Sequence, residues 1–535
     1  MAEQGHGGRA VTRALKALGV GHLFTLTGGH IFPILDGCHQ DGIQMIDTRH
    51  EQTATFGAEG YARLSRRLGV ASITAGPGVT NAMSALAQAR FNCAPLLALG
   101  GRAPAFRWGQ GSLQEIDHVP FVDPLASART VTDTSQIASE VIAAAYGAMT
   151  APRGPRFLDF PLDVLFNMTG LDLELPGRPE TTEPAAEQVA AVARLLEEAS
   201  RPVIIAGSNV YLDHADDALV RLVESAELPA FVNGQGRGCI AADHRLAFSR
   251  ARSKGLKEAD LVIVAGTPMD FRLGFGDFGS AKVVHLDSQP IAQHLKLAAG
   301  IEAPLDKTLS AIAEAVEKAP DTKEWVAALR EQEDVKRDSA QAELHSTSNP
   351  IHPMRIYGEL VPLLDRDAIV IGDGGDFVSY AGREIASFEP GCWLDPGPFG
   401  CLGVGPGYAM AARALHPDRQ VVVMFGDGAI GFSGMELETL VRLKMPVVMI
   451  VGNNGIWGLE KHPMRALYGY DVVADLRPEI RYDQMMESFG GKGELVKEPD
   501  QIGPAVKRAF DSGEPALVNV ITDPDVAYPR SSNLA

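Results

Sequence analysis

"MFGDGAIGFSGMELETLVRLKMPVVMIVGNNG", residues 424–455, sets an apolar run, a Gly-Asp-Gly turn, a helical stretch, a second apolar run and two asparagines in quick succession. The two apolar runs fit strands buried on both faces, and the segment between them fits a helix. Strand, helix, strand in that order is the unit of a parallel sheet, and it places Asp427 and Asn453–Asn454 at the ends of neighbouring strands. The helical segment after Asp427 has free backbone N–H groups that can face an anion. A carboxylate, an amide oxygen and a nearby backbone carbonyl are hard ligands, suited to magnesium that is also bound by phosphate oxygens. Asp-Gly and Asn-Gly are each common turn formers, but together at this spacing they point to a magnesium–diphosphate clamp.

The same rhythm of short apolar runs and amphipathic helical stretches fills the rest of the chain. "GVASITAGPGVTNAMSALAQA" gives a strand, a Gly-Pro-Gly turn and a helix with Thr80 or Asn81 near its start, while "RPVIIAGSNV" and "ADLVIVAGTP" are buried strands ending in glycine turns. The expected fold is α/β, with three domains that each hold a mostly parallel sheet flanked by helices. Polar stretches at 175–188 and 330–350 read as a linker and as a charged helix running into a linker. They divide the chain at 1–180, 186–335 and 350–520, with 521–535 as a tail or lid.

A chain of 535 residues exceeds what one hydrophobic core usually serves, and 45% hydrophobic with 21% charged residues fits a globular protein. The formal net charge of -19 argues against a nucleic-acid binder or a protein held on anionic membranes, both of which need a basic footprint. An anionic substrate therefore needs a local basic pocket. The five scattered cysteines show no paired spacing, which disfavours a zinc site or a disulfide framework and fits a reducing cytoplasm. The N-terminal stretch reads as the start of a helix rather than a signal peptide, and no run has the length of a membrane helix.

The "GDG" and "NN" elements resemble the signature of thiamine-diphosphate enzymes, and the likeness runs over essentially the whole chain. It implies that Asp427, Asn454 and the backbone carbonyl of Ile456 hold magnesium. Gly374, Gly375, Asp376, Phe377, Gly428, Ala429 and Ile430 fall where that family contacts the cofactor. "IDTRHEQTATFGAEGYAR" resembles the family's "RHE" motif and nominates Glu51, from a largely apolar site, as the carboxyl that exchanges a proton with the cofactor's pyrimidine. "AGPGVTNA" adds Gly76 and Asn81, and Leu402 takes the place of the bulky hydrophobe, methionine in many relatives, that bends the cofactor. Because one subunit's pyrimidine-binding domain meets another's diphosphate-binding domain in this family, a homodimer or homotetramer is implied.

"ARSKGLKEADLVIVAGTPMDFRLGFG" resembles the coenzyme-A branch of the family, oxalyl-CoA decarboxylases and 2-hydroxyacyl-CoA lyases. Arg252 and Arg272 offer guanidinium forks for phosphates, and Asp287 an acceptor for a ribose or adenine hydrogen bond. Coenzyme A, ADP and FAD are all candidate ligands of this middle domain. The C-terminal "RSSNLA" resembles the end of the coenzyme-A lyases and adds Arg530 as a contact to the thioester. "GSLQEIDHVP" resembles the family's "FQE" stretch, so Gln114 is expected to orient a substrate hydroxyl, with Leu113 in place of an aromatic. Glu494 in "FGGKGELV" stands where relatives carry tyrosine and is a candidate acceptor for the proton of a 2-hydroxyl. His30 in "TGGHIFP" follows a Gly pair near the cofactor. The expected activity is cleavage of a 2-hydroxyacyl-CoA to formyl-CoA and an aldehyde or ketone. Acetolactate synthase-like joining of 2-oxo acids, oxalyl-CoA decarboxylation and, last, an inactive cofactor-binding scaffold are the alternatives.

Overall fold

In the computed structural model, which describes residues 3–179 and 181–529, the apolar runs become three six-stranded sheets, each parallel throughout. The first holds, across the sheet, Gln44–Asp47, His22–Thr25, Gly69–Ile73, Leu96–Arg102, Arg156–Pro161 and Ser127–Thr130. The middle sheet runs Ala247–Phe248, Ala230–Val232, Pro202–Ala206, Leu261–Ala265, Lys282–Asp287, Ala299–Glu302. The third runs Trp393–Leu394, Ile369–Asp373, Val421–Gly426, Val448–Asn453, Ala516–Ile521, Lys492–Val496. A short antiparallel pair, Gln4–His6 with Met168–Gly170, closes the first region.

Each sheet reverses its direction of growth beside its first strand, and that reversal sets where ligands can sit. In the first sheet it falls between His22–Thr25 and Gly69–Ile73, in the middle one between Pro202–Ala206 and Leu261–Ala265, and in the third between Ile369–Asp373 and Val421–Gly426. Beyond the carboxyl ends of such a strand pair the flanking helices diverge and leave a crevice. Glycines follow those strands at Gly76, Gly207, Gly266, Gly374 and Gly375.

The chain forms two compact units. One contains the first sheet together with 396–418 and 433–445, and the other contains the middle and third sheets. The helix Gly405–Leu415, which belongs in sequence to the last segment, packs in the first unit along the helix Glu51–Ser65. Small residues make that approach close: a Cβ at Gly60 would stand 2.8 Å from the Tyr408 ring, and one at Gly407 would stand 2.9 Å from the Thr53 carbonyl. The expected helix after Asp427 is split into Asp427–Ser433 and Glu436–Arg442 around Gly434, a residue poor at sustaining a helix. Among the described residues no helix is long and apolar enough to cross a membrane.

Candidate active site

In the first unit, Glu51 opens its helix behind His50, whose ring accepts the Gln52 N–H. The approach to it is fixed by the buried Glu436, whose carboxylate accepts the Arg49 N–H at 3.0 and 3.1 Å. Burial pushes the Glu436 carboxyl up, against the hydrogen bonds from Thr439 and Arg49. Glu51 is itself buried, and its Oε2 accepts from Asn81 Nδ2 at 3.0 Å. Asn81 lies in the helix Pro77–Phe91, which starts earlier than the sequence suggests because Pro77 suits a first helical position. The residue before that helix, Gly76, has φ 62 and ψ -114, a conformation that side chains disfavour. Gln114 rests on it in the left-handed region at φ 57, so close that a Cβ at Gly76 would be 2.8 Å from the Gln114 Cβ. His30 is buried with Nδ1 3.4 Å from Thr74 Oγ1, and burial pushes its imidazolium down despite a hydrogen bond to the Leu113 backbone. Glu51, Gly76, Asn81, Gln114 and His30 are thus gathered around the ends of the first sheet's strands.

Leu402 is half-buried in the same unit, in a loop tethered to the Pro77–Phe91 helix by the Cys401 N–H to Gln88 Oε1 bond at 3.0 Å. Beneath it runs a buried polar network. Glu59, fully buried, accepts from Asn92 at 2.7 Å and Gln88 at 3.2 Å, and Tyr408 accepts from both Arg63 and Gln88 at 2.9 Å.

In the second unit, the third sheet ends in the other half of the expected constellation. Asp427 is buried at the end of its strand, with Oδ2 accepting the Gly455 N–H at 2.7 Å and Oδ1 its neighbour Gly428 at 3.0 Å. Burial pushes the Asp427 carboxyl up to about 7, against those same hydrogen bonds. Asn454 turns its Oδ1 back to accept the Ile456 N–H at 3.2 Å. Gly374 and Gly375 follow the neighbouring strand at φ 89 and φ 56 and lead into the helix Gly375–Glu384. Asp376 lies with its carboxylate against Gly458, and a Cβ at Gly428 would run into the Trp457 ring. Ala429 and Ile430 are buried in the turn of helix after Asp427.

These residues fit a magnesium–diphosphate group. A buried carboxylate that meets backbone N–H groups and no cation among the described residues is costly to hold charged, and a divalent cation relieves that cost. The donor set is all oxygen, as magnesium prefers. Two successive left-handed glycines at a helix start leave room for an anion that side chains would fill. Phe377 differs from expectation, because its ring is buried in the core and fills the space over Gly452. Only its backbone stands at the helix start.

Glu494 is not brought to this end of the sheet. It lies mid-way along the edge strand Lys492–Val496 and accepts from Arg508 Nε and Nη2, at 3.0 and 2.6 Å. An edge strand leaves the side chain free to find a surface cation, so its expected part in proton transfer is withdrawn. In the middle sheet, Asp287 ends its strand, buried, and accepts from Asn209 at 3.0 Å and the Gln289 N–H at 2.9 Å. Arg272 is clamped by Asp270 at 2.7 Å. Arg252 is half-buried and meets no carboxylate among the described residues; burial and then the like charge of Arg272 push its guanidinium down. Arg530 lies outside the described residues.

Comparisons with known proteins show the family. The description "Thiamine pyrophosphate enzyme, N-terminal TPP binding domain" matches residues 5–121, the central domain of the same family 189–312, and its C-terminal TPP binding domain 373–520. The chain is 55% identical to a protein named probable acetolactate synthase from Mycobacterium bovis, over 99% of this chain and 98% of that one. It is 36% identical to 2-hydroxyacyl-CoA lyase 2 of Caenorhabditis elegans, over 96% and 89% of the two chains. The human 2-hydroxyacyl-CoA lyase 2 is 32% identical, over 96% and 90%. Likeness of this extent, over all three sheets, makes the chain a member of the thiamine-pyrophosphate-dependent enzymes.

Proposed function

We propose that the protein cleaves, and in reverse forms, the carbon–carbon bond of a 2-hydroxyacyl-CoA, giving formyl-CoA and an aldehyde or ketone. The observation that carries this reading is Arg252, a half-buried guanidinium without a carboxylate partner among the described residues, set beside Arg272. Two neighbouring cations, one of them uncommitted, suit the phosphates of an ADP-bearing molecule in an otherwise acidic chain. Asp287 is an acceptor at the end of the same sheet. Arg530 is proposed as a further contact to the thioester.

Asp427, Asn454 and the Ile456 carbonyl would hold magnesium, and Gly374, Gly375, Ala429 and Ile430 the diphosphate. Thiamine diphosphate, when bound, supplies a nucleophilic carbon that stabilises the charge left on breaking a bond beside a carbonyl. Glu51, held by Asn81, exchanges a proton with the pyrimidine ring. Gln114 donates to or accepts from the substrate's 2-hydroxyl. The pyrimidine half of one copy works with the diphosphate half of another, in a homodimer or homotetramer.

A second reading, joining of 2-oxo acids to acetolactate, is favoured by the name of the 55% identical relative and by the engagement of Glu494 with Arg508. One experiment separates them. Purified protein with thiamine diphosphate and magnesium is given a panel of 2-hydroxyacyl-CoA thioesters and, separately, pyruvate, and products are identified by mass spectrometry. Formyl-CoA with an aldehyde or ketone, absent in Glu51→Ala, supports the lyase. Acetolactate from pyruvate with intact thioesters sinks it.

A further inference from the structure

A second layer of side chains lies directly beneath the Gly76–Gln114 contact. His118 is fully buried, and its Nε2 is 3.0 Å from the Gly76 N–H. A peptide N–H can only donate, so Nε2 is an acceptor and the ring proton resides on Nδ1. That proton points to Asp159 Oδ1, 3.1 Å away and equally buried. The other Asp159 oxygen accepts from Arg102 at 2.7 Å, and Arg102 also reaches Asp117 at 2.9 Å and Thr130 at 3.3 Å. The Arg102 guanidinium lies 3.9 Å from the centre of the Trp108 ring, in the loop that carries Gln114. Phe121 and Phe157 meet the imidazole edge to face. The remaining titratable group of this end of the sheet, His30, is buried with its Nδ1 3.4 Å from Thr74 Oγ1.

From this arrangement we infer that His118 is a positioning residue of the active centre. Fixed as the Nδ1-protonated tautomer by Asp159 and Arg102, it holds the Gly76 peptide and through it the seat of Gln114. The chain of dependence is physical at each link. Gly76 adopts a backbone conformation that is open to few residues, and a buried N–H that loses its acceptor releases the turn. Gln114, in left-handed backbone and in contact with Gly76, has to follow. Arg102 pins both the acid that orients the imidazole and the loop that bears the glutamine, so the turn and the loop share one anchor. The role matches that of an acid that sets an imidazole's tautomer without itself accepting the proton.

The inference rests on the assignment of Gly76 and Gln114 to the active centre, but not on which substrate is turned over. Its test therefore reads cofactor binding first. Titration calorimetry of thiamine diphosphate in the presence of magnesium compares the wild type with His118→Phe, His118→Gln and Asp159→Asn. Phenylalanine keeps the ring's bulk and loses both hydrogen bonds, whereas glutamine can supply an acceptor and a donor. Asp159→Asn keeps size and packing: its oxygen must serve Arg102, so its amide N–H faces Nδ1, the ring proton moves to Nε2, and two donors meet at Gly76. The expected result is a Kd raised about tenfold in His118→Phe and Asp159→Asn, the worth of one hydrogen bond, with recovery in His118→Gln. Cooperative melting is retained, and KM for whichever substrate is active rises more than kcat falls. Equal Kd values in all four proteins overturn the inference. So does wild-type binding by Asp159→Asn beside weak binding by His118→Phe, because packing alone would then explain the loss. Should His118→Phe fail to fold, Asp159→Asn decides. Absence of lyase turnover in the wild type would count against the proposed reaction and leave this binding comparison intact.

Discussion

Counted in chain order, the strands of the first and third sheets both run 2-1-3-4-6-5, yet their reversal points are furnished with opposite chemistry. The first ends in titratable and hydrogen-bonding side chains: Glu51, His30, Gln114, with His118 behind them. The third ends in glycines that make room and in Asp427 and Asn454 as oxygen donors. The middle sheet is wound 3-2-1-4-5-6 and offers arginines instead. Winding fixes where a crevice opens, and the residues at its lip decide what enters.

If the first sheet's end handles a proton and the third's holds a charge, the two should fail differently. Glu51→Gln is expected to lower kcat by about 10²–10⁴-fold, the span of a lost general acid–base group, while calorimetric affinity for thiamine diphosphate changes little. Asp427→Asn should do the reverse. At ligand near 100 times Kd, the stabilisation of about 2.7 kcal/mol that thiamine diphosphate with magnesium gives the wild type should vanish from its melting curve. Equal losses of binding in both variants would break the division of labour.

Smaller effects sharpen the comparison. Gly60→Val crowds the Tyr408 ring and should cost about 1–3 kcal/mol in denaturant unfolding, with the cofactor affinity of the folded fraction retained. Arg252→Ala should raise KM for a coenzyme-A thioester about tenfold and leave pyruvate turnover unchanged, as one charge-assisted contact would. Glu494→Gln should change kcat/KM by less than about twofold, since it breaks only an ion pair at an exposed edge. A larger loss there would return Glu494 to the chemistry.

Asp427 and Asn454 stand out in the sequence because each sits at a junction where hydrophobic periodicity changes, and such junctions are where parallel strands end, whereas Glu51 is nominated only by resemblance to the family's "RHE" motif. Buried strands of valine and isoleucine declare themselves for the same reason. His118 is not legible: "LQEIDHVP" reads as loop, and Asp159 lies 41 residues away on a strand that looks merely apolar. The sheet sets Leu96–Arg102 beside Arg156–Pro161 and so brings Arg102 to Asp159, while His118 reaches the same acid from the loop before Val119–Val122. Glu494 misleads for a related reason, because motif spacing does not reveal that its strand is an edge with Arg508 alongside. The inward ring of Phe377 is likewise decided by a packing partner remote in sequence, Gly452.

The Glu59, Arg63, Gln88, Asn92 and Tyr408 network has an evolutionary consequence. Each of its groups is buried and answered by another member, so a single exchange strands a charge or a dipole where water does not compensate. Drift through this part of the protein is therefore expected to proceed by joint replacement, with Glu59 and Arg63 lost or kept together. Grafting the Glu51 helix from a relative into this chain should succeed only when residues 88, 92 and 408 travel with it.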